Sequence, residues 1–112
     1  MNIPNFINEW LAASNAFDTQ KYLEFYNDDA ILDDPSVRKQ FKGHEGIKEY
    51  FDNYFIGYNT DTQLVNLNVK GIESAHLEVN FTGTFAEGTI GGIFDFKFKN
   101  EKIIFVKADL IH

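Results

Sequence analysis

No cysteine occurs among the 112 residues of the chain, which excludes a disulfide framework, a thiolate metal site and a cysteine nucleophile together. A chain without cysteine suits a reducing compartment, and the cytoplasm is the expected location. Basic residues are scarce as well: 10 Lys and Arg stand against 17 Asp and Glu, a formal net charge of −7. Binding to a phosphate backbone depends on Lys and Arg to neutralise it, so nucleic acid is not an expected partner. No apolar run approaches the roughly 20 residues that a bilayer crossing needs, and Met1 to Trp10 carry no basic patch ahead of an apolar stretch. Neither a membrane span nor a secretory leader is expected.

Several motifs are missing too. There is no phosphate-cradling glycine loop, no G-x-S-x-G elbow and no pair of histidines at ligand spacing. The acidic run Asp28, Asp29, Asp33, Asp34 lacks the glycine and terminal glutamate of a calcium loop. No metal and no cofactor are expected. His44 opens a helix, where the positive helix end disfavours an imidazolium, and its expected role is structural. His76 and His112 are isolated.

What the chain has in quantity is aromatic: 12 Phe, 5 Tyr and 1 Trp, 16% of all residues. Such rings fill large volumes, so they pack a core, line a cavity, or both. With no repeat, linker or shift of composition, residues 1–112 read as one domain, long enough to bury roughly two thirds of its unfolded surface.

The first half has helical periodicity and the second half strand periodicity, which predicts an α+β fold. Pro4 suits a first helical turn, and Phe6, Trp10, Ala13 and Phe17 then recur about once per turn. Asp18 caps a second helix from Thr19 to about Tyr26, with Leu23 and Tyr26 inward. Ala30 to Asp34 is extended and stops at Pro35, and Ser36 to Lys42 reads as a polar loop. A third helix runs from Gly43 to Ile56, with Ile47, Tyr50, Phe51, Tyr54 and Phe55 on one face.

Beyond Asp61 the pattern alternates. Four strands are predicted, with inward series Val65, Leu67, Val69; then Leu77, Val79, Phe81, Phe85; then Phe94, Phe96, Phe98; then Ile104, Val106, Ala108, Leu110. The separators Ile72-Glu73-Ser74, Ala86-Glu87-Gly88 and Lys99-Asn100-Glu101 are short enough for hairpins, giving an antiparallel meander. Gly83, Gly91 and Gly92 fall inside strands, where glycine marks a bulge or bend.

Three stretches carry a resemblance: Trp10-Leu11-Ala12-Ala13-Ser14-Asn15-Ala16-Phe17-Asp18, Tyr26-Asn27-Asp28-Asp29-Ala30-Ile31-Leu32-Asp33-Asp34-Pro35, and Phe41-Lys42-Gly43-His44-Glu45-Gly46-Ile47. The sequence resembles the SnoaL-like branch of the nuclear-transport-factor-2-like superfamily, whose members include ketosteroid isomerases and polyketide cyclases. The resemblance implies a cone-shaped fold, three N-terminal helices packed on a curved antiparallel sheet, around a pocket for a small apolar or aromatic molecule. It also implies a homodimer formed through the sheet, and Leu64, Ile93 and Phe105, opposite the main apolar series, are the expected contacts.

By the same resemblance Asp34 takes the position of the isomerases' general base. Strand parity sets it beside Ala30 and Leu32, and a carboxylate among apolar neighbours holds its proton more readily, which suits acid-base work. Trp10 falls where those enzymes place an oxyanion-hole tyrosine, and an indole N–H donates but supplies no acidic hydroxyl. The protonated aspartate of that hole falls at Phe94 or Asp95, and alternation assigns Phe94 to the pocket. Asp109 resembles the late-strand acid of the cyclases, although its parity with Phe105 and Lys107 is opposite to the apolar face. The candidate ligand contacts are thus Trp10, Tyr26, Leu32, Tyr50, Tyr54, Phe94 and Asp109, with Tyr22 a further hydrogen-bond donor. Lacking a complete acid-base set, the pocket is expected to bind rather than to catalyse. The alternative is a cofactor-independent isomerase, cyclase or hydrolase using Asp34.

Overall fold

In a computed structural model, which describes residues 1–111, helix α1 (Ile3–Asn15) begins where the Asn2 side chain accepts from the Asn5 N–H at 3.0 Å, with Pro4 in the first turn. Its buried face is Ile3, Ile7, Trp10, Leu11, Ala13 and Ser14. Phe6 is only half-buried, edge-on to Phe25 and Phe98. Phe17 leaves the stripe altogether: its backbone is left-handed (φ 54°), and the chain turns there into α2 (Thr19–Glu24). As expected, Asp18 caps α2, accepting from the Lys21 N–H at 3.1 Å. Tyr22 is the buried residue of α2 and Leu23 lies at its edge, because the helix stops after six residues and Tyr26 already belongs to the first strand. His112 lies outside the described residues.

Strand β1 (Tyr26–Asp34) is longer than its apolar pattern suggested, since Asn27, Asp28 and Asp29 extend it through more exposed positions. The predicted loop contains a further strand, β2 (Lys39–Lys42), antiparallel to β1. Only Phe41 in that strand is buried, and one apolar residue among polar ones leaves no period to read. Helix α3 (Gly43–Phe51) comes next and widens into a π turn over Asp52–Ile56, closed by Gly57 N–H to Asp52 C=O (2.9 Å) and Thr60 N–H to Phe55 C=O (2.8 Å). Insertions of this kind are frequent at functional sites.

The predicted meander is present as β3 (Asp61–Gly71), β4 (Ser74–Thr82), β5 (Thr89–Lys99) and β6 (Lys102–Ile111). All six strands form one sheet in the order β2-β1-β6-β5-β4-β3. Every pair is antiparallel except β1 and β6, which run parallel, a pairing no local signal announces. Ala75, Leu77, Val79, Phe81, Phe94, Phe96 and Phe98 are buried as the alternation requires.

Two bulges shift the expected faces elsewhere. In β3 the register slips at Val65, which puts Leu64 on the same face as Val79, but on this edge strand Leu64, Val65 and Val69 all remain exposed. Leu64 is therefore not an outer-face residue. In β6 a slip between Lys97 and Phe98 of its partner strand makes Ile103, not Ile104, the buried position. The β4–β5 connection also runs longer than a tight hairpin, from Gly83 to Gly88, so Gly83 and Phe85 lie in the turn rather than in a strand.

The core is largely aromatic. Trp10 stands edge-on to Phe94 and Phe96 at 5.0 and 5.2 Å between centroids, and Tyr22 stacks on Phe51 at 4.0 Å. Each such buried side chain contributes about 1.5–3 kcal/mol relative to exposure. Gly92 belongs to the same packing: a Cβ there would overlap the ring of Phe81, so the glycine makes room for an aromatic rather than for a bend.

Candidate functional site

Because β1 and β6 are parallel while β5 opposes β6, the ends of β1, β4 and β6 and the start of β5 meet at one end of the sheet. The π turn and the β4–β5 connection close over that end. Between them lies a partly open cavity of about 180 Å³. Phe81, Ile90 and Leu110 form its sheet wall; Tyr50 comes from α3, Tyr54 and Phe55 from the π turn, and Tyr58 and Thr60 from the segment that leads into β3; Phe85 and Glu87 come from the β4–β5 turn. Asp34, Ser36 and Val37 complete it.

Asp34 ends β1 and is only 5% exposed. Its Oδ1 accepts from both the backbone N–H of Ser36 (2.9 Å) and the Ser36 hydroxyl (2.5 Å), the local turn that an aspartate before proline and serine favours. Its Oδ2 accepts from the Tyr50 hydroxyl at 2.8 Å. Apolar neighbours were the expected surroundings; instead, three donors meet the carboxylate. Tyr50 is held well above the ordinary phenol range, first by burial and then by the Asp34 charge it faces. Its proton stays on oxygen and points at Asp34.

The sequence-derived candidates divide into three groups. Asp34, Tyr50 and Tyr54 line the cavity together. Trp10, Tyr26, Leu32 and Phe94 are fully buried and do not line it. Two of these four belong to an internal chain: Trp10 Nε1–H donates to the Tyr26 hydroxyl at 3.2 Å, which donates to the Tyr22 hydroxyl at 2.7 Å. Burial pushes both phenols up, so both remain neutral within the core. Asp109 stands opposite Ile93 on the outer face, half-buried, accepting from the Leu110 N–H at 2.8 Å; it is on the other side of the sheet from the cavity.

Sequence reasoning misses most of the remaining wall. Ser36 is signalled by the Asp-Pro-Ser turn, and Tyr58 by its position four residues after Tyr54. Alternation puts Phe85 in a strand and Glu87 in a tight hairpin. Both depend on the length of the β4–β5 turn, which composition does not reveal. His44 has the structural role expected of it, its Nε2 bonded to the Tyr26 carbonyl at 2.8 Å. His76 meets Asp95 across the outer face.

Comparison with solved structures finds this architecture repeatedly. A candidate polyketide cyclase from Sinorhizobium meliloti is similar over 94% of this chain and 94% of its own, with 18% identity and a TM-score of 0.85. A candidate ketosteroid isomerase from Kribbella flavida matches 96% of this chain and 76% of its own, at 13% identity and a TM-score of 0.84. A Mycobacterium tuberculosis protein solved in complex with estradiol-17β-hemisuccinate matches 92% of this chain and 88% of its own, at 16% identity and a TM-score of 0.79. Identities this low establish the fold and leave the ligand open. A search of curated proteins gives no match. The sequence model of the SnoaL-like domain matches residues 7–106, nearly the whole length, and the chain belongs to that family.

Proposed function

We propose that the chain is a binding protein for a small, mainly apolar ligand, which enters the cavity beside Asp34 and is not chemically changed there. One observation carries this reading: the hydroxyl protons nearest the Asp34 carboxylate, on Ser36 and Tyr50, are both directed at it. Proton abstraction next to a carbonyl needs a free base and a donor facing the developing oxyanion. Here the base accepts three hydrogen bonds, and the neighbouring donors are engaged with the base itself. The cavity of about 180 Å³ is also below the ~300–1,000 Å³ of pockets that enclose drug-sized molecules. The estradiol ester bound by the Mycobacterium protein is thus a poor guide to ligand size here.

The test combines binding and chemistry. Titration with single-ring fragments, monitored by ¹⁵N–¹H NMR, should move signals of Tyr54, Phe85 and Ile90, and Ile90→Trp should abolish the response. Small ketones incubated with the protein in deuterium oxide should exchange their α-protons no faster than in buffer. Exchange that is accelerated by the wild type and lost in Asp34→Asn would establish the acid-base alternative instead.

The proposal includes a homodimer built on the outer sheet face. Ile31, Ile93 and Phe105 lie there half-buried, with Ile31 directly beside Phe105 across β1 and β6. Asp33, Lys107 and Asp95 form a charged row across the same face between Phe105 and Ile93, so the interface would mix apolar and paired charged contacts.

A further inference from the structure

We infer that the molecule taken by this cavity is a small organic cation, an amine or amidine on an apolar body of about one ring, held by Asp34; this rests on the binding reading above and narrows it.

The first argument counts protons. The Ser36 and Tyr50 hydroxyls donate to Asp34, and the Thr60 hydroxyl donates to the Tyr54 carbonyl at 3.1 Å. Asp34 and Glu87, as carboxylates, only accept. What the inner wall offers a ligand is therefore acceptor capacity: lone pairs on Ser36 and Tyr50, and the last open position on Asp34, since a carboxylate has about four and three are taken. A neutral ketone, ester or ether would enter with acceptors and meet acceptors. The hydroxyls of Tyr54 and Tyr58 belong to residues at the open side, 36% and 43% exposed. A group that brings several N–H donors satisfies the wall without rearranging it.

Charge gives the second argument. Among the described residues the cavity is lined by two carboxylates and by no Lys, Arg or His, on a chain of net charge −7. A ligand carboxylate or phosphate would be repelled, whereas a cation gains a charge-assisted hydrogen bond, roughly twice as strong as a neutral one. The third argument is the wall itself, in which rings from Tyr50, Tyr54, Tyr58, Phe81 and Phe85 surround the space. Ring faces attract a cation, and desolvation strengthens that attraction. Size then limits the apolar part: a cavity of ~150 Å³ holds one benzene, so about 180 Å³ admits one ring and a short arm.

The experiment uses three probes of one shape: benzylamine, benzyl alcohol and benzoate, titrated at pH 7 and low salt and monitored by ¹⁵N–¹H NMR. Benzylamine should bind at least ~10-fold more tightly than benzyl alcohol, corresponding to about 1.4 kcal/mol, and benzoate should not bind. Asp34→Asn should weaken benzylamine by a similar factor and so remove most of its preference over benzyl alcohol. Glu87 is exposed and its substitution is safe for the fold, so Glu87→Gln gives a second variant, expected to weaken benzylamine two- to threefold. If benzyl alcohol or benzoate binds as well as benzylamine, the cation inference falls while the binding reading stands. If no probe moves any cavity signal, both fall.

Discussion

Tyr50 donates its phenolic proton to Asp34 Oδ2 at 2.8 Å, joining helix α3 back to the last residue of β1. The bond links the helical layer to the sheet at a buried polar point of the cavity wall. It also fixes the direction of one of the two hydroxyl protons beside Asp34, the other being that of Ser36.

The first prediction concerns this bond. Tyr50→Phe keeps the ring but leaves a buried carboxylate one donor short, a loss of about 1–3 kcal/mol. Ser36→Ala should cost less, because the Ser36 backbone N–H still serves Oδ1. Urea unfolding of both variants measures the difference. Equal losses would mean that the hydroxyl of Ser36 matters to Asp34 as much as that of Tyr50.

The second concerns alkaline pH. Tyr22, Tyr26 and Tyr50 are all held above the ordinary tyrosine value by burial. The unfolded chain releases these protons near pH ~10 while the folded chain keeps them, so above that pH the unfolded state binds fewer protons. Stability is then fully present below pH ~10 and falls as pH rises toward the folded values, by up to ~1.4 kcal/mol per pH unit for each tyrosine. Denaturant titrations between pH 8 and 11 should show the decline, and Tyr26→Phe should reduce its slope by one proton. A flat profile would mean that the native state ionises them freely.

Much of the fold was legible because its strands alternate cleanly: the aromatic run Phe94, Phe96, Phe98 can face only one way, and Asp18 before a short polar helix can do little but cap it. The site was legible in part. Asp34 was placed by the family resemblance, with strand parity in agreement, and the stripe of Tyr50 and Tyr54 by helical spacing, a local property. Trp10 was not, because periodicity separates inside from outside but does not separate core from cavity wall. The distinction depends on what stands opposite, and here Phe94 and Phe96 fill that space. Parity misplaces Leu64 because a single extra residue at Val65 reverses it, and nothing in the composition of β3 marks the bulge.

The third prediction concerns Trp10. It is fully buried among rings and absent from the cavity wall, so Trp10→Ala removes packed volume rather than enlarging an existing space. The loss should be about 3–5 kcal/mol. Trp10→Phe should lose less, with a remaining cost from the donor taken away from Tyr26. Unfolding midpoints decide, and a small loss for the alanine variant would mean that the space around Trp10 is already open.

The outer face supplies the fourth. Phe105 lies between Ile31 and Lys97 on neighbouring strands, half-buried, with no further layer over it among the described residues. Wild-type protein should sediment as a dimer at micromolar concentration, and Phe105→Lys as a monomer with its fold retained, because a further positive charge beside Lys97 and Lys107 is left desolvated and unpaired in the interface. A wild-type monomer would remove the dimer from the proposal.

The last prediction uses Gly92 to reach the cavity from behind. Gly92 lies in β5, opposite Leu110 on β6 and Val79 on β4, and the ring of Phe81 occupies the space where its side chain would be. Gly92→Ala places a methyl group inside that ring's envelope. Backbone on three adjacent strands cannot retreat, so the ring must move, and the cavity it lines gives it room to do so. The cost of such overpacking is about 1–3 kcal/mol, and the cavity should shrink by much of the displaced ring edge. Fragment binding should therefore weaken severalfold in a variant whose substitution touches no ligand. Pairing it with Phe81→Leu, which withdraws the ring, should restore both stability and binding. If Gly92→Ala lowers stability and leaves binding untouched, Phe81 has moved elsewhere and is not a wall of the site.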